Sequence, residues 1–390
     1  MADEEQQPTP FEPTASYTKP SLPTDEFLKR ALSKIRALFS RDSDEPYIAN
    51  EKLTRADHAI LDKVAPRPAY GPLVEELQAT LQPWIEERQP RSHIMTIVLP
   101  PCEADGLLEE WAERHGHEIL SAPERPSLIS LVHEPVLKDL SGDGVLVIPR
   151  LEHWFLRHHD GLGTLRRLLA AIDLVDRRVV VGCNSWAWEF VSKAVGANLI
   201  LPAPQTFRPF DEKRLHAWIS HLTATQERRE FSFKLSQSGK DVMTVDEDGN
   251  LVSDFFKSLA GRSLGIPWVA WHLWRRCLRA GGETGEEASV DERGADDAHT
   301  LWVAMLEDFL LPGSGDPAVL LSLHALLLHG GLTISELRLV LPTVGESNVL
   351  SALMTAGLVY RDGSLLKCEP AAYPSIREGL SSAGFSMDSL

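Results

Sequence analysis

Two kinds of hydrophobic pattern alternate along the middle of the chain, between residues 91 and 205. Short apolar runs, such as residues 94–99 and 144–148, are typical of buried strands, and the segments between them repeat apolar side chains every three or four residues, as amphipathic helices do. Further runs of the strand type lie at residues 127–133, 178–184 and 198–201. Apolar strands separated by helices form parallel sheets that are covered on both faces. The pattern therefore predicts an α/β domain over residues 91–205.

The segments on either side of this domain have different patterns. Residues 1–24 are rich in Pro, Thr, Glu and Gln and predict a disordered tail, and residues 25–90 predict a helical segment. A helical lid is predicted over residues 206–280, followed by a linker at 281–300 in which seven acids accompany one base. Residues 301–390 predict three helices and then a two-stranded hairpin, which is the pattern of a winged-helix domain.

Residues 26–41 have the pattern of a basic amphipathic helix. Apolar residues follow one face at helical spacing, and Lys and Arg occupy the other face. Such a helix packs on its own domain, docks a protein partner or lies on an anionic membrane surface, and the sequence leaves these three alternatives open. The partner-binding candidates in this stretch are Phe27, Ile35, Leu38 and Phe39.

Two tryptophans of the predicted lid, Trp268 and Trp271, are further partner-binding candidates. Packing in the core between sheet and lid is the favoured interpretation of these side chains. If they were exposed, they would mark a partner-binding surface, because aromatic side chains are enriched at interfaces.

Residues 93–118 predict a strand, a Pro-Pro turn and a helix, which is the frame of a phosphate-binding loop. Such a loop uses glycines so that backbone N–H groups surround phosphate, a Lys for the β- and γ-phosphates and a Ser or Thr for magnesium. Here Asp105 stands at the Lys position, Gly106 at the Ser/Thr position, and Cys102 and Glu103 in the middle of the loop. Two acids at this place would repel a triphosphate.

Composition and charge narrow the function classes further. The net charge is −17, from 39 basic and 56 acidic residues, which disfavours binding to nucleic acid through bulk charge. The 4 cysteines show no CxxC spacing and indicate a reducing compartment. The N-terminus lacks the pattern of a signal peptide, and apolar runs of membrane-spanning length are absent. These features predict a cytoplasmic protein, with contact to a membrane surface through residues 26–41 as the remaining alternative.

A patch formed by His153, His158, His159 and Asp160 has the residue types of a metal site. Adjacent histidines point apart on a regular element, so we interpret the patch as a solvated surface and predict no metal site from the sequence.

The chain resembles AAA-type P-loop ATPases in four places. LPPCEADG stands where that family has GPPGxGKT, and GVLVIPRLEHW is similar to its second acidic motif, with Pro149 and Arg150 at the acidic positions. RVVVGCNSWAW is similar to the sensor-1 strand, with Asn184 at the polar sensor position, and LAGRSLGIPWVAWHL is similar to the sensor-2 helix, with Trp268 where an Arg is expected. The resemblance covers residues 90–380 and implies a P-loop-like α/β fold with a helical lid and a winged helix.

The resemblance also frames the predicted function. Because every group that holds nucleotide and magnesium is replaced, we expect a catalytically inactive, ATPase-like adaptor or regulatory subunit without a cofactor or catalytic residues. The degenerate pocket, in which no nucleotide is expected, consists of Pro100, Pro101, Cys102, Asp105, Gly106 and Asn184.

The predicted partners are proteins, including an ATPase or a membrane-associated complex, and the resemblance implies self-association. One alternative is a DNA-binding regulator that uses the winged helix, which is disfavoured because residues 347–357, the presumed recognition helix, contain no Arg or Lys. The other alternative is a divergent but active ATPase in which Glu152 replaces the missing acid.

Overall fold

The computed structural model describes residues 10–23, 53–68, 71–103, 106–129, 140–223, 231–281, 300–313, 316–346 and 348–390. These residues divide into two compact units. The first consists of Met1–Thr18, Tyr70–Arg208 and Phe309–Leu390, and the second of Lys19–Ala69 and Pro209–Asp308. Strands and helices are numbered below in chain order.

A six-stranded sheet forms the centre of the first unit. Its strands lie in the order β1-β7-β3-β6-β5-β4. They are β1 (Glu12–Pro13), β3 (Ile94–Leu99), β4 (Glu118–Ile119), β5 (Val145–Ile148), β6 (Arg178–Asn184) and β7 (Gln205–Thr206). All neighbours pair in parallel except β1, which runs antiparallel to β7. The predicted parallel sheet of an α/β fold is therefore confirmed.

Helices pack against this sheet at the positions where the sequence repeats apolar residues at helical spacing. They are α2 (Gly71–Glu86), α3 (Leu107–Arg114), α4 (Gly163–Asp173), α5 (Ser185–Val195) and α6 (Ala197–Ile200). The buried faces of α4 and α5 join β3, β5 and β6 in one hydrophobic core. Burial of this continuous apolar surface is the main force that holds the unit together.

Three sequence predictions for this unit are wrong where the structure describes them. Residues 198–201 form the short helix α6 instead of a strand, because Gly196 ends α5 in a left-handed conformation and the chain turns into a new helical turn. Arg125–Ile129 is a 3₁₀ helix instead of the start of a strand, since Pro126 favours a turn, and residues 130–133 lie outside the described part. In the predicted disordered tail, Glu12–Pro13 pairs with β7 and Phe11 is buried.

The C-terminal segment contains the helices and the hairpin that the sequence predicts. Its helices are α10 (Pro317–His329), α11 (Ile334–Val340), α12 (Val349–Thr355) and α13 (Tyr373–Ser382), and its strands are β11 (Leu332–Thr333), β12 (Val359–Asp362) and β13 (Leu365–Cys368). The strands form a small antiparallel sheet in the order β11-β13-β12. Leu328 and Leu390 belong to the core of the α/β sheet, so this segment is part of the first unit and not the separate domain that was predicted.

The second unit contains a sheet that the sequence did not predict. The strands β2 (Leu53–Arg55), β8 (Ser232–Leu235), β9 (Leu278–Gly281) and β10 (Thr300–Val303) lie in the order β2-β9-β10-β8. Its helices are α1 (His58–Val64), α7 (Glu212–Thr223), α8 (Phe255–Arg262) and α9 (Pro267–Cys277). The predicted helical lid is thus a mixed α/β unit, because short strands on distant parts of the chain pair with one another.

Trp268 and Trp271 lie on α9 inside this second unit. They are 3% and 9% exposed, and the Trp271 indole donates a hydrogen bond of 2.9 Å to the carbonyl oxygen of Pro66. Both side chains therefore pack in the core of the second unit itself, whereas the favoured interpretation placed them between sheet and lid, and they offer little surface to a partner. Among the described residues, no helix combines the length and apolar character that a membrane crossing requires.

Candidate functional site

The turn after β3 places a carboxylate at the N-terminus of α3. The Glu103 side chain accepts hydrogen bonds from the backbone N–H groups of Gly106, at 2.6 Å, and Leu107, at 3.3 Å. Free N–H groups and the helix dipole make such a terminus attractive to anions, including phosphate. In this chain the anion is the protein's own side chain.

The backbone of this turn keeps a conformation that suits glycine. Cys102 has a φ of +65° and Gly106 a φ of +79°. By resemblance, Cys102 stands at a glycine position of the ATPase loop, and a positive φ is uncommon for a residue with a Cβ. Two described positions of this turn thus adopt a conformation that favours glycine, and one of them carries a cysteine side chain. Burial raises the pKa of the Cys102 thiol, so this cysteine stays neutral.

Arg150, just beyond the end of β5, holds Glu103 in place. Its guanidinium donates to Glu103 Oε2 at 2.6 Å and to Glu109 Oε1 at 2.8 Å. The Arg150 and Glu103 side chains are 20% and 7% exposed. Burial opposes the charge on Arg150, but the carboxylates of Glu103 and Glu109 outweigh this effect and raise its pKa. The result is a cation fixed between two acids at the carboxyl edge of the sheet.

Asn184, the predicted sensor residue at the end of β6, is engaged in other contacts. Its Oδ1 accepts a hydrogen bond of 2.8 Å from the backbone of Ala187 and caps α5. Its Nδ2 donates to the carbonyl oxygen of Leu328 on α10, at 3.3 Å. Its backbone N–H donates to Glu152 Oε2, at 3.1 Å. Asn184 therefore joins the sheet to the C-terminal segment.

The C-terminal segment covers the edge of the sheet with further polar contacts. Ser185 Oγ donates to Asp388 Oδ2 at 2.5 Å, and the Trp186 indole donates to the Tyr373 hydroxyl at 3.1 Å. Arg125 donates to the carbonyl oxygens of His329 and Gly331 and pairs with Glu336 at 3.7 Å. Most of these groups are buried, so the contacts hold two distant parts of the chain together without access to water.

The cavity enclosed between the turn after β3 and the C-terminal segment is small. The cavity at this edge has a volume of about 40 Å³. It is lined by the predicted pocket residues Pro100, Pro101, Cys102 and Asn184 and by residues of the C-terminal segment, among them Leu326, Leu327 and Cys368. Pockets for small molecules have volumes of about 300–1,000 Å³. The enclosed cavity is therefore far smaller than such a pocket.

Glu152, the residue on which the divergent-ATPase alternative depends, lies inside this edge. It is 3% exposed and accepts the backbone N–H of Asn184. Burial raises its pKa, against the opposing effect of Arg150. A general base has to reach a substrate or water, and Glu152 is enclosed in this structure.

A wider hollow of about 600 Å³ adjoins this edge, between the ends of β4 and β5 and the C-terminal sheet. Its basic residues are Arg125, Arg150 and Lys367, and each of them forms a salt bridge with an acid. Burial and the charges of Arg125, Arg150 and Lys367 lower the pKa of His153 to about 3, so this histidine is neutral at physiological pH. The hollow therefore offers paired charges and no concentrated positive surface.

The remaining predicted site residues are distributed as follows. Asp105 lies outside the described residues, as do Phe27, Ile35, Leu38 and Phe39. His158, His159 and Asp160 lie together in the loop after Leu156, with ligand atoms that are all within 4.8 Å of one another. The Glu103–Arg150 pair is a contact that was not predicted from the sequence. Its proximity could have been predicted, because both residues follow predicted parallel strands and the carboxyl ends of such strands meet at one edge of a sheet.

Comparisons with known proteins add little to this geometry. The chain matches no protein-family model and no curated protein. Among solved structures, it is similar to the ORC1 protein of Aeropyrum pernix in complex with DNA, with 16% identity over 96% of this chain and 97% of that chain. The TM-score is 0.27, which is too low to support any argument about what this chain does.

Proposed function

We propose that this protein is an ATPase-like adaptor or regulatory subunit that binds no nucleotide and acts through protein contacts. The main observation behind this proposal is that the Glu103 carboxylate accepts hydrogen bonds from the backbone N–H groups of Gly106 and Leu107. In an active P-loop ATPase, a phosphate would bind to the N–H groups at this place. An internal acid with two backbone hydrogen bonds and a salt bridge has to be displaced before an external anion enters. That displacement opposes binding.

Electrostatics oppose nucleotide binding as well. Glu103, Glu109 and Glu152 all border the cavity at this edge, and Arg150 already pairs with the first two. Two like charges 4 Å apart repel by about 4 kcal/mol at the effective dielectric constant near a protein surface. A triphosphate at this edge would meet that repulsion more than once. Magnesium would lower it, but the hydroxyl that normally holds the ion is replaced by Gly106.

We further propose that the C-terminal segment is a winged helix that packs on its own chain and does not read DNA. Helix α12 carries no basic residue, and residues 316–378 contain four bases and six acids. DNA-binding helices of this kind depend on phosphate contacts from Lys and Arg. The contacts from α10 and Asp388 to the α/β sheet are the observations that support an intramolecular role.

Binding to MgATP tests the main proposal. Isothermal titration of the full chain with MgATP, up to millimolar concentration, is expected to give no binding heat, with an active P-loop ATPase as positive control in the same buffer. Micromolar binding that depends on magnesium would refute the proposal. Release of phosphate that is abolished by Glu152→Gln would favour the divergent-ATPase alternative instead.

Residues 26–41 are the proposed partner-binding segment, on the strength of their sequence pattern alone. The double substitution Ile35→Glu with Leu38→Glu introduces two charges on the apolar face and is expected to abolish capture of a protein partner. The matched control, Lys34→Glu with Arg36→Glu, changes charge on the polar face and keeps the apolar stripe. Binding to anionic vesicles that the control variant loses would assign the segment to a membrane surface instead.

A further inference from the structure

The loop after the buried residue Leu156 brings two imidazoles and a carboxylate together. His159 Nε2 lies 2.7 Å from Asp160 Oδ2, and His158 Nδ1 lies 4.0 Å from the same oxygen. The two imidazole rings are 4.2 Å apart between centroids. The sequence predicted diverging rings because adjacent side chains point apart on a regular helix or strand. The loop is irregular, and the rings converge.

The backbone fixes this arrangement. Leu156 N–H donates to the carbonyl oxygen of Gly161 at 3.1 Å, Gly161 N–H donates to that of His158 at 3.0 Å, and His158 N–H donates to that of Leu156 at 2.7 Å. A Cβ at Gly161 would lie 2.2 Å from the carbonyl oxygen of Leu156, so the closed loop requires glycine there. A tight turn thus holds the three potential ligands, and the residues at its start, Phe155 and Leu156, are fully buried.

We infer that His158, His159 and Asp160 form a binding site for a divalent transition-metal ion of the zinc class. Two imidazole nitrogens and one carboxylate oxygen are a ligand set that zinc uses when water takes the fourth position. Tetrahedral bonds of about 2.05 Å place neighbouring ligand atoms roughly 3.3 Å apart. The distances of 2.7 and 4.0 Å lie on either side of this value, so small rotations of the side chains bring all three atoms onto one ion.

One existing contact has to yield. The Asp160 backbone N–H contacts His158 Nδ1 at 3.3 Å, which is at the long end for a hydrogen bond. A metal bond at this nitrogen replaces that weak contact. The His159 side chain is 78% exposed, and those of His158 and Asp160 are 24% and 26% exposed, so the ion has access from solvent.

The site would affect the C-terminal segment as well. Arg157 N–H donates to His329 Nε2 at 3.3 Å, and the Arg157 guanidinium contacts His324 Nδ1 at 3.4 Å. Both histidines lie on α10, so the loop supports the helix that covers the degenerate pocket. An ion that fixes the loop stabilises the folded chain, because ligands that bind only the native state raise the melting temperature.

Titration of the untagged full chain with Zn²⁺ tests the inference. We expect one ion per chain by calorimetry, a rise in melting temperature with added Zn²⁺, and visible absorption of bound Co²⁺ without a thiolate charge-transfer band. The variants His159→Ala and Asp160→Asn are expected to weaken binding roughly tenfold or more, since loss of a ligand's supporting partner alone already costs 10–100-fold. His115→Ala, which removes an exposed histidine elsewhere, should leave binding unchanged.

Three outcomes would overturn the inference. They are the absence of Zn²⁺ and Co²⁺ binding to the wild type, equal binding by the wild type and the His159→Ala variant, and a cobalt–thiolate band. The first outcome would show that the cluster is only a solvated His–Asp pair. Because His159 is largely exposed, its replacement is not expected to disturb folding, and a melting curve of the metal-free variant checks this.

Discussion

Replacement of Arg150 is expected to destabilise the first unit strongly. Arg150 separates Glu103 from Glu109 and lies near Glu152, so its removal leaves three acids together with no base between them. Removal of one partner from a buried ion pair costs about 3–5 kcal/mol, and the 20% exposure of Arg150 places this variant at the lower end. Arg150→Ala should therefore lower the free energy of unfolding by about 3 kcal/mol in urea titrations with an unchanged m-value.

Two further variants show whether the geometry of Arg150 matters. Arg150→Lys keeps the charge but cannot donate to two carboxylates from one planar group, so it should recover only part of the loss. Arg114→Ala removes an exposed pair with Glu110 and should cost less than about 1 kcal/mol. If Arg150→Ala and Arg114→Ala lowered the free energy of unfolding by the same amount, the Glu103–Arg150 pair would stabilise the chain no more than an exposed salt bridge does.

The same residues show what the sequence does and does not reveal. The buried strands β3, β5 and β6 follow from local patterns, and the structure contains all three. Glu103 and Arg150 lie 47 positions apart. Seen alone in the sequence, each residue looks only like a replacement within an ATPase motif. Only the parallel order of β3, β6 and β5 brings the two strand ends to one edge of the sheet. Sheets formed by short distant strands, as in the second unit, have no local signal either.

At the scale of an element, helix α3 provides a test of the internal anion. Glu103→Ala removes the acceptor of the N–H groups of Gly106 and Leu107 and one carboxylate partner of Arg150, so it should cost more than the roughly 1 kcal/mol of a lost helix cap, while Glu109 still pairs with Arg150. It also leaves a cation beside an uncapped helix end. Sulfate should therefore raise the melting temperature of Glu103→Ala more than that of the wild type, because it replaces the missing carboxylate.

Glu110→Ala is the matched control for this measurement, since Glu110 lies on the same helix and pairs only with the exposed Arg114 in the contacts described. Chloride at equal ionic strength separates site binding from general salt effects. If sulfate stabilises the wild type, Glu110→Ala and Glu103→Ala by the same amount, the helix end is not an anion site and Glu103 is not its substitute.

His324 on helix α10 should make the stability of the chain depend on pH. Burial and the charge of Arg157 lower the pKa of His324 to about 4, whereas an imidazole in the unfolded chain has a pKa of about 6.5. Between these values the unfolded chain binds more protons than the native chain. The free energy of unfolding therefore falls as pH decreases from 6.5 to 4, by about 1.4 kcal/mol per pH unit once His324 is mostly protonated in the unfolded state.

Urea titrations between pH 4.5 and 6.5 measure this slope. The variant His324→Gln cannot titrate and should have a slope that is smaller by about 1.4 kcal/mol per pH unit. An unchanged slope in His324→Gln would show that this imidazole titrates normally in the native chain.

At the scale of the whole molecule, the first unit includes residues 309–390, so we expect the chain to lose stability when this segment is removed. Residues 309–390 supply Leu328 and Leu390 to the core of the α/β sheet and cover Trp186, which is 2% exposed. Burial of one Trp removes about 150–250 Å² of surface, which corresponds to about 4–6 kcal/mol at 25 cal/mol per Å². Whole domains are stable by only about 5–15 kcal/mol, so loss of this segment should unfold the sheet.

Two fragments, 1–308 and 309–390, test this expectation by hydrogen exchange and urea titration. Fragment 1–308 alone should leave the amides of β3 and β6 unprotected, and fragment 309–390 alone should not unfold cooperatively. A mixture of the two should regain the protection of β3 and β6, because the polar contacts of Asn184 and Ser185 can form again. A cooperative transition in 309–390 alone would mean that the segment is an independent domain, as its helix and hairpin pattern first indicated. The C-terminal segment could then detach from the edge of the sheet, and nucleotide binding to 1–308 would have to be measured separately.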